Sequence, residues 1–176
     1  MNLTLRDATP ADIPAITALY ADEVRDRVAT YEYDAPVEAE MARRMRELQA
    51  AGYPYFIAEL DGVFAGYAYA SSYRSRIGYR WTVEDTVYVA PAAQGQGVGK
   101  ALLARLIDAC ESKGYRQMVA VIGEPANGGS VALHERLGFR TVGVFHGLGR
   151  KHGRWLDTVQ MQRALGNGDR DAPPNE

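Results

Sequence analysis

Between Val87 and Lys100 the chain passes from a strand-like run, Val87-Tyr88-Val89, through Ala90-Pro91-Ala92-Ala93-Gln94-Gly95-Gln96-Gly97-Val98-Gly99-Lys100 into an amphipathic helical pattern that stops at Gly114. A strand, a glycine-rich turn and a helix in that order gather unpaired backbone N–H groups and the positive end of a helix dipole at one point. Glycine also removes the Cβ that would hold a ligand away from the backbone. Such a turn predicts a phosphate-bearing ligand. Spacing excludes two common classes of it. A Walker A loop needs glycine where Gln94 stands and Ser or Thr where Ala101 stands, and a dinucleotide fingerprint counted from Gly95 or Gly97 needs its third glycine at Lys100 or Leu102. What remains is Gln-x-x-Gly-x-Gly, on Gln94, Gly97 and Gly99, a spacing that glycines at a plain helix entry also satisfy.

The flanking sequence sets the architecture around this turn. A strand over Leu3 to Arg6 is followed by Thr9-Pro10-Ala11-Asp12, where a capping hydroxyl, a proline at the first helical position and an acid at the third start a helix. A second helix spans about Val37 to Ala51 and ends at Gly52 and Pro54. Tyr55 to Leu60 and Val63 to Tyr69 are β-rich runs joined by Asp61-Gly62, a hairpin dipeptide, and predict antiparallel neighbours. Further strands are expected over Trp81 to Val89, Met118 to Ile122, Phe139 to Phe145 and Trp155 to Met161, with helices over Gly97 to Lys113 and Ser130 to Leu137. Strands outnumber helices and the first pair is a hairpin. This predicts an α/β (α+β) fold with a mixed, twisted central sheet flanked by helices. One domain is expected over residues 1–165, with 166–176 as a disordered tail.

Composition narrows the partners. The formal charge of −2 supplies no basic field for a polyanion, and Lys and Arg are scattered, so no nucleic-acid partner is expected. No run approaches the roughly 18 apolar residues of a membrane span, and the N-terminus lacks a secretory pattern, so a cytoplasmic location without a membrane partner is expected. Cys110 lies in the apolar pattern of Leu102, Leu103, Leu106 and Ile107, which places it in the core and disfavours an acyl-cysteine route. His134, His146 and His152 show no metal-ligand spacing, and no metal is expected.

The stretch Glu84-Asp85-Thr86-Val87-Tyr88-Val89, followed by Gln94-Gly95-Gln96-Gly97-Val98-Gly99, resembles the acetyl-CoA-binding motif of the GNAT superfamily of N-acetyltransferases. Within it, the chain is similar to the phosphinothricin and methionine sulfoximine acetyltransferase family. The matches continue in order from about residue 3 to 163, through Gly52-Tyr53-Pro54, Gly66-Tyr67-Ala68, Leu133-His134, Leu137-Gly138-Phe139 and Lys151-His152-Gly153-Arg154-Trp155-Leu156-Asp157. The resemblance implies a GNAT fold whose sheet splays near Glu84 to Val89 to admit acetyl-CoA. It implies that the backbones of Val87 and Val89 bond the pantetheine arm and that Gly95, Gln96, Gly97, Val98, Gly99 and Lys100 wrap the pyrophosphate. Asn127 and Ser130 then contact the thiol end, and Tyr88 and Gln94 complete the cofactor set. It further implies a homodimer that inactivates a glutamine-synthetase inhibitor.

Acylating an amine with a thioester needs a neutral amine and a proton for the leaving thiolate. Freeing an alkylamine of pKa near 10 from its proton at pH 7 costs about 4 kcal/mol, so a base is useful. Glu84 and Asp85 are the candidates, and strand alternation sends them to opposite faces. The family pattern favours Glu84 as base, leaving Asp85 and Thr86 among the substrate residues. His134 falls toward the inward side of its helix, at a position where many GNAT enzymes carry the tyrosine that protonates the thiolate. Histidine suits that task near neutral pH, and a hydrogen-bonded packing histidine is the other reading. Arg74 and Arg76, at i and i+2 in a loop, suit the paired clamping of a carboxylate or phosphinate, unless they are simply solvated. Tyr31 and Glu32 lie where the family has substrate-pocket walls, and an aromatic in a helix-exit loop that is simply packed is the other reading of Tyr31. The acceptor is therefore expected to be a small amino-acid-like amine. The rivals are another amine, such as a polyamine or a protein N-terminus, and a regulator that binds acyl-CoA without catalysis.

Overall fold

The computed structural model describes residues 2–124 and 128–173. Among them, seven strands form one sheet in the order β1-β2-β3-β4-β5-β7-β6. The first half comprises β1 (Leu3–Asp7), α1 (Ile13–Asp26), α2 (Glu38–Ala50), β2 (Tyr55–Leu60), β3 (Val63–Ser72) and β4 (Thr82–Val89). Then come α3 (Val98–Ser112), β5 (Gln117–Gly123), α4 (Gly128–Arg136), β6 (Arg140–Lys151) and β7 (Arg154–Ala164). The pair β4 and β5 is parallel and the other neighbours are antiparallel, which makes the sheet mixed.

Each face of the sheet buries its own cluster. On one side, Ile16, Leu19 and Tyr20 of α1 and Met41 and Met45 of α2 cover Tyr55, Ile57 and Tyr67. On the other, Leu102, Leu103, Leu106 and Cys110 of α3 cover Phe56, Ala68, Ala70, Val83 and Met118. Strand alternation produces this division, since Phe56 and Ala58 point one way and Tyr55 and Ile57 the other. The Thr9 to Asp12 start signal works as anticipated, through a 3-10 turn that leads into α1. The Asp12 carboxylate accepts from the Thr9 backbone N–H at 2.8 Å and from its hydroxyl at 3.0 Å, and also pairs with Arg6 at 2.6 Å.

Opposite a register shift at Ala58 and Glu59, β3 carries an extra residue, and Gly66 follows it at φ +157°. A side chain there would run into the Tyr88 carbonyl oxygen and lie 3.1 Å from Val89 Cα. The glycine lets β3 sit close against the end of β4. Gly66→Ala is expected to lower stability by about 2 kcal/mol, as overpacking against backbone does. Thermal denaturation checks this, and an unchanged midpoint would show that β4 yields freely at this point.

The structure differs from the sequence reading at the C-terminus. Residues 166–173, where composition suggests disorder, form turns held by Arg116, which pairs with Asp171 at 2.7 Å and donates to the Ala172 carbonyl at 3.0 Å. The β6–β7 hairpin is also longer than expected, reaching Lys151 and Arg154 on either side of a His152-Gly153 turn. No helix among the described residues is long and apolar enough to cross a membrane.

Candidate active site

The parallel pairing of β4 with β5 covers only Thr82, Val83 and Glu84, matched to Gln117, Met118 and Val119. Beyond Glu84 the strands separate: β4 continues to Val89 beside β3, while β5 continues to Gly123 beside β7. Backbone groups of residues 85–89 on the β5 side are thereby left without a strand partner. An extended chain with amide groups fits such a slot, because it supplies the missing ladder.

The glycine-rich turn stands at the far end of this slot. Gly95 and Gly97 have φ +75° and +83°, a region that side chains disfavour, and Gly97 caps α3 in the left-handed conformation. No atom lies within 4 Å of where a Cβ would sit on either, so these two glycines are needed for conformation. Gly99 serves packing instead, with Leu133 of α4 and Val89 of β4 at 3.3 and 3.4 Å from its would-be Cβ. The first N–H groups of α3 have no intrahelical partner and point out of this turn, as an anion requires.

Several expected cofactor residues take part through backbone alone. The Val98 side chain is in the core, and that of Tyr88 packs with Tyr20 and Tyr67 on the opposite side of the sheet. Gln94 and Gln96 donate to the carbonyls of Val89 and Ala92, at 3.4 and 2.7 Å, and brace the turn. Lys100 is exposed, and Ser130 is half-buried on the first turn of α4. Asn127 lies outside the described residues.

The β3–β4 register sorts the polar side chains. Tyr69 faces Thr86, Ser71 faces Glu84 and Tyr67 faces Tyr88, so these six share the face covered by α1 and α2. Glu84 is half-buried, and burial, with the charge of Asp85 added, pushes its carboxyl up to about 6. It has no ion-pair or hydrogen-bond partner among the described side chains. A carboxylate that is free, partly desolvated and poised near neutrality suits a general base.

Asp85 corrects the sequence reading. It points to the opposite face, only 8% exposed, and accepts a 2.9 Å hydrogen bond from His134 Nε2. It therefore belongs to the core beneath the slot and not to the substrate pocket with Thr86. His134, 3% exposed, also donates from Nδ1 to the Ser130 carbonyl at 2.7 Å, and its ring meets Phe139 edge to face. Burial works against its charged form, but Asp85 and the Ser130 carbonyl outweigh burial, and its pKa lies above the ordinary histidine value. His134 is buried as expected, though on the other side of the sheet from Glu84 and with both ring nitrogens already bonded.

Arg74 and Arg76 are exposed in the loop after β3 and form no ion pair among the described residues. Arg74 lies near the rings of Tyr73 and Tyr79, at 5.3 and 5.9 Å. Tyr31 is not a free wall residue. Its hydroxyl reaches Thr158 Oγ1 at 3.0 Å and donates to the Asp157 carbonyl at 3.3 Å, and its ring fills the space a side chain at Gly149 would need. Glu32 pairs with Arg44 at 2.7 Å, and Arg44 also pairs with Glu40. Sequence reasoning missed Arg44 and Tyr69. Tyr69 sits among Thr86, Arg44, Glu84 and Glu32, all of which act on its buried phenol. The alternation that placed Glu84 also placed Tyr69 and was the available signal, whereas Arg44 reads as one more charge on a solvated helix.

Comparison with known proteins agrees with this geometry. The model of the Acetyltransferase (GNAT) family matches residues 14–139. Over 170 residues the chain is 48% identical to a phosphinothricin N-acetyltransferase of Alcaligenes faecalis, covering 97% of this chain and 86% of that protein. It is 41% identical to an L-methionine sulfoximine/L-methionine sulfone acetyltransferase of Salmonella typhimurium, covering 98% and 99%. A crystal structure of a GNAT superfamily phosphinothricin acetyltransferase from Sinorhizobium meliloti, in complex with AcCoA, superposes with a TM-score of 0.95 at 49% identity, covering 99% of this chain and 95% of that one.

Proposed function

The chain belongs to the GNAT family of acetyltransferases, and we propose that it transfers the acetyl group of acetyl-CoA to the amino group of a small amino-acid-like acceptor of the phosphinothricin or methionine sulfoximine and sulfone type. The observation that carries this reading is the parting of β4 from β5 just beyond Glu84, with the glycine turn of α3 at the far end. The slot suits an acylated pantetheine arm, the turn suits its pyrophosphate, and Glu84 stands at the place where the two strands part.

Acetyl-CoA supplies an acetyl group activated as a thioester. Glu84, ionised above about pH 6, takes the amine proton directly or through water. Backbone N–H groups on the open side of residues 85–89 polarise the thioester oxygen. His134, whose ring nitrogens bond Ser130 and Asp85, passes a proton to the departing sulfur as one of those bonds opens, the N–H breaking as the S–H forms and the ring ending neutral. Arg74, with Arg76 two residues on, receives the acceptor's carboxylate, and Thr86, Tyr69, Glu32 and Arg44 border the pocket. We place the enzyme in the cytoplasm as a detoxifying homodimer without a nucleic-acid partner. The dimer is supported by edge strand β6, which with Trp155 of β7 exposes Val142, Val144, Phe145 and Leu148.

CoA release by the purified protein tests the reading, with phosphinothricin, methionine sulfoximine, methionine sulfone, ordinary amino acids, polyamines and a peptide N-terminus as acceptors. Release with the first three is expected. Arg74→Ala is expected to raise the KM for those acceptors about 10-fold or more, the worth of a charge-assisted hydrogen bond, and to leave that for acetyl-CoA alone. Binding of acetyl-CoA without release to any acceptor would point to a non-catalytic regulator.

A further inference from the structure

The buried pair of Asp85 and His134 carries an inference that rests on the reading of His134 as the proton donor to sulfur. We propose that Asp85 is a positioning residue for the transfer: by accepting the Nε2 hydrogen it fixes the His134 ring and offsets the cost of burying that ring's positive charge.

The hydrogen-bond inventory leads to this state. The Ser130 carbonyl only accepts, so the 2.7 Å contact requires a hydrogen on Nδ1. An ionised Asp85 also only accepts, so the 2.9 Å contact requires a hydrogen on Nε2. An imidazolium beside a carboxylate makes both bonds, as does a neutral Nδ1–H ring beside a protonated Asp85, and titration of the ring separates the two. The second Asp85 oxygen, Oδ1, is buried without a partner, so the carboxylate is committed to His134. Among the described residues, the groups around the pair do not offer another source for the charge. On α3, the Cys110 thiol is pushed up to about 12, by burial first and by Asp85 second, and stays neutral. Glu84 lies across the strand on the other face, Glu135 and Arg136 of α4 are exposed, and Arg163 of β7 is spent on the Leu137 carbonyl.

The consequence is a working pH window. Transfer needs Glu84 without its proton and His134 with one. Glu84 loses its proton near pH 6, whereas a histidine buried this deeply without a counter-charge would hold its proton less firmly than in water. Acid and base would then seldom be ready together. Asp85 reverses the order and opens the window toward alkaline pH, where the acceptor amine is also easier to deprotonate.

The first test is titration of the His134 ring in the 15N-histidine-labelled wild type by NMR. The ring's midpoint is expected above that of an ordinary histidine, and a midpoint at or below the ordinary value would overturn the proposal. The second is Asp85→Asn, in which the His134 midpoint and the alkaline limb of kcat should both fall by more than one pH unit, while the acid limb set by Glu84, raised chiefly by burial and only secondarily by Asp85, should fall by less. A folded variant with an unmoved alkaline limb would also overturn it. Should the variant not fold, the wild-type titration decides. Failure of the transferase reading is a separate result, absence of amine-dependent CoA release by the wild type, and leaves the titration to be judged on its own.

Discussion

Glu84→Gln is expected to lower kcat by about 10²- to 10⁴-fold, the usual worth of a positioned general base. Glutamine keeps the size and half-buried setting of Glu84 but cannot take a proton at neutral pH. The acceptor must then reach the thioester already neutral, which for an amine of pKa near 10 costs about 4 kcal/mol at pH 7. The pH profile should separate this from a general loss of structure. In the wild type the rate should rise as Glu84 ionises around pH 6, because a carboxyl pushed upward by burial keeps its proton to higher pH than usual and works only once that proton is gone. In the variant this inflection should vanish and the rate should climb more steeply toward alkaline pH, following the free amine. Acetyl-CoA affinity, measured by calorimetry, should change by less than about twofold, since the slot is built from the backbone of β4 and the first turn of α3. A variant with the wild-type profile would remove Glu84 from the base role.

The separation of Glu84 from Asp85 was within reach of the sequence because it depends on local periodicity, whereas the choice of Glu84 as base came from the family resemblance. Alternation along Thr82 to Val89 separates Glu84 from Asp85, and the structure keeps that alternation. The capping pattern at Thr9 to Asp12 and the glycines bounding α3 are also local, and they mark element ends within a residue or two. What escaped the sequence depends on distance. Asp85 and His134 are 49 residues apart, and no motif couples an acid on a strand to a histidine on a later helix. Asp85 therefore read as a pocket residue until the packing of α4 under β4 supplied its partner. Tyr31 read as a pocket wall for the same reason, since the groups that hold its hydroxyl, Asp157 and Thr158, lie on the last strand. Lys151 is the clearest case. The basic segment Lys151 to Arg154 reads from sequence either as a hairpin turn or as the far rim of the pocket, and neither reading shows that the Lys151 ammonium is buried.

Lys151→Met is expected to destabilise the protein by about 3 kcal/mol and to weaken acceptor binding. Lys151 is 2% exposed at the end of β6, and its Nζ donates to the carbonyls of Glu23 at 3.3 Å, Arg27 at 2.8 Å and Thr30 at 2.8 Å. Two of these belong to the end of α1, where a positive charge also opposes the negative end of the helix dipole. The third lies in the loop that carries Tyr31 and Glu32. Three charge-assisted bonds at about 1.5 to 3 kcal/mol each would give a far larger gross value. Much of that is offset by desolvation of the ammonium, since burial is the main cause holding its pKa below the ordinary lysine value while Glu23 and Glu32 pull it back up. Methionine fills most of the stem's volume, so the expected loss comes from carbonyls that lose their charged donor and not from a cavity. The Thr30 carbonyl loses it outright, while those of Glu23 and Arg27 keep only the contacts with the Arg27 N–H and His152 Nε2. For a chain of this size about 3 kcal/mol corresponds to a fall of about 6 to 12 °C in Tm. Tyr33 donates to the Arg150 carbonyl in the same hairpin, and Tyr31 packs beneath Gly149, so releasing Lys151 loosens the loop against β6 and β7 together. Glu32 and Arg44 belong to the proposed acceptor pocket, whereas the slot proposed for acetyl-CoA opens between β4 and β5. The KM for the acceptor should therefore rise about 3- to 10-fold, the effect of losing roughly 1 kcal/mol of binding, with the KM for acetyl-CoA unchanged. Equal rises in both would mean that the loop is not set by the hairpin, and an unchanged Tm would mean that the three carbonyls find other donors once the ammonium is gone.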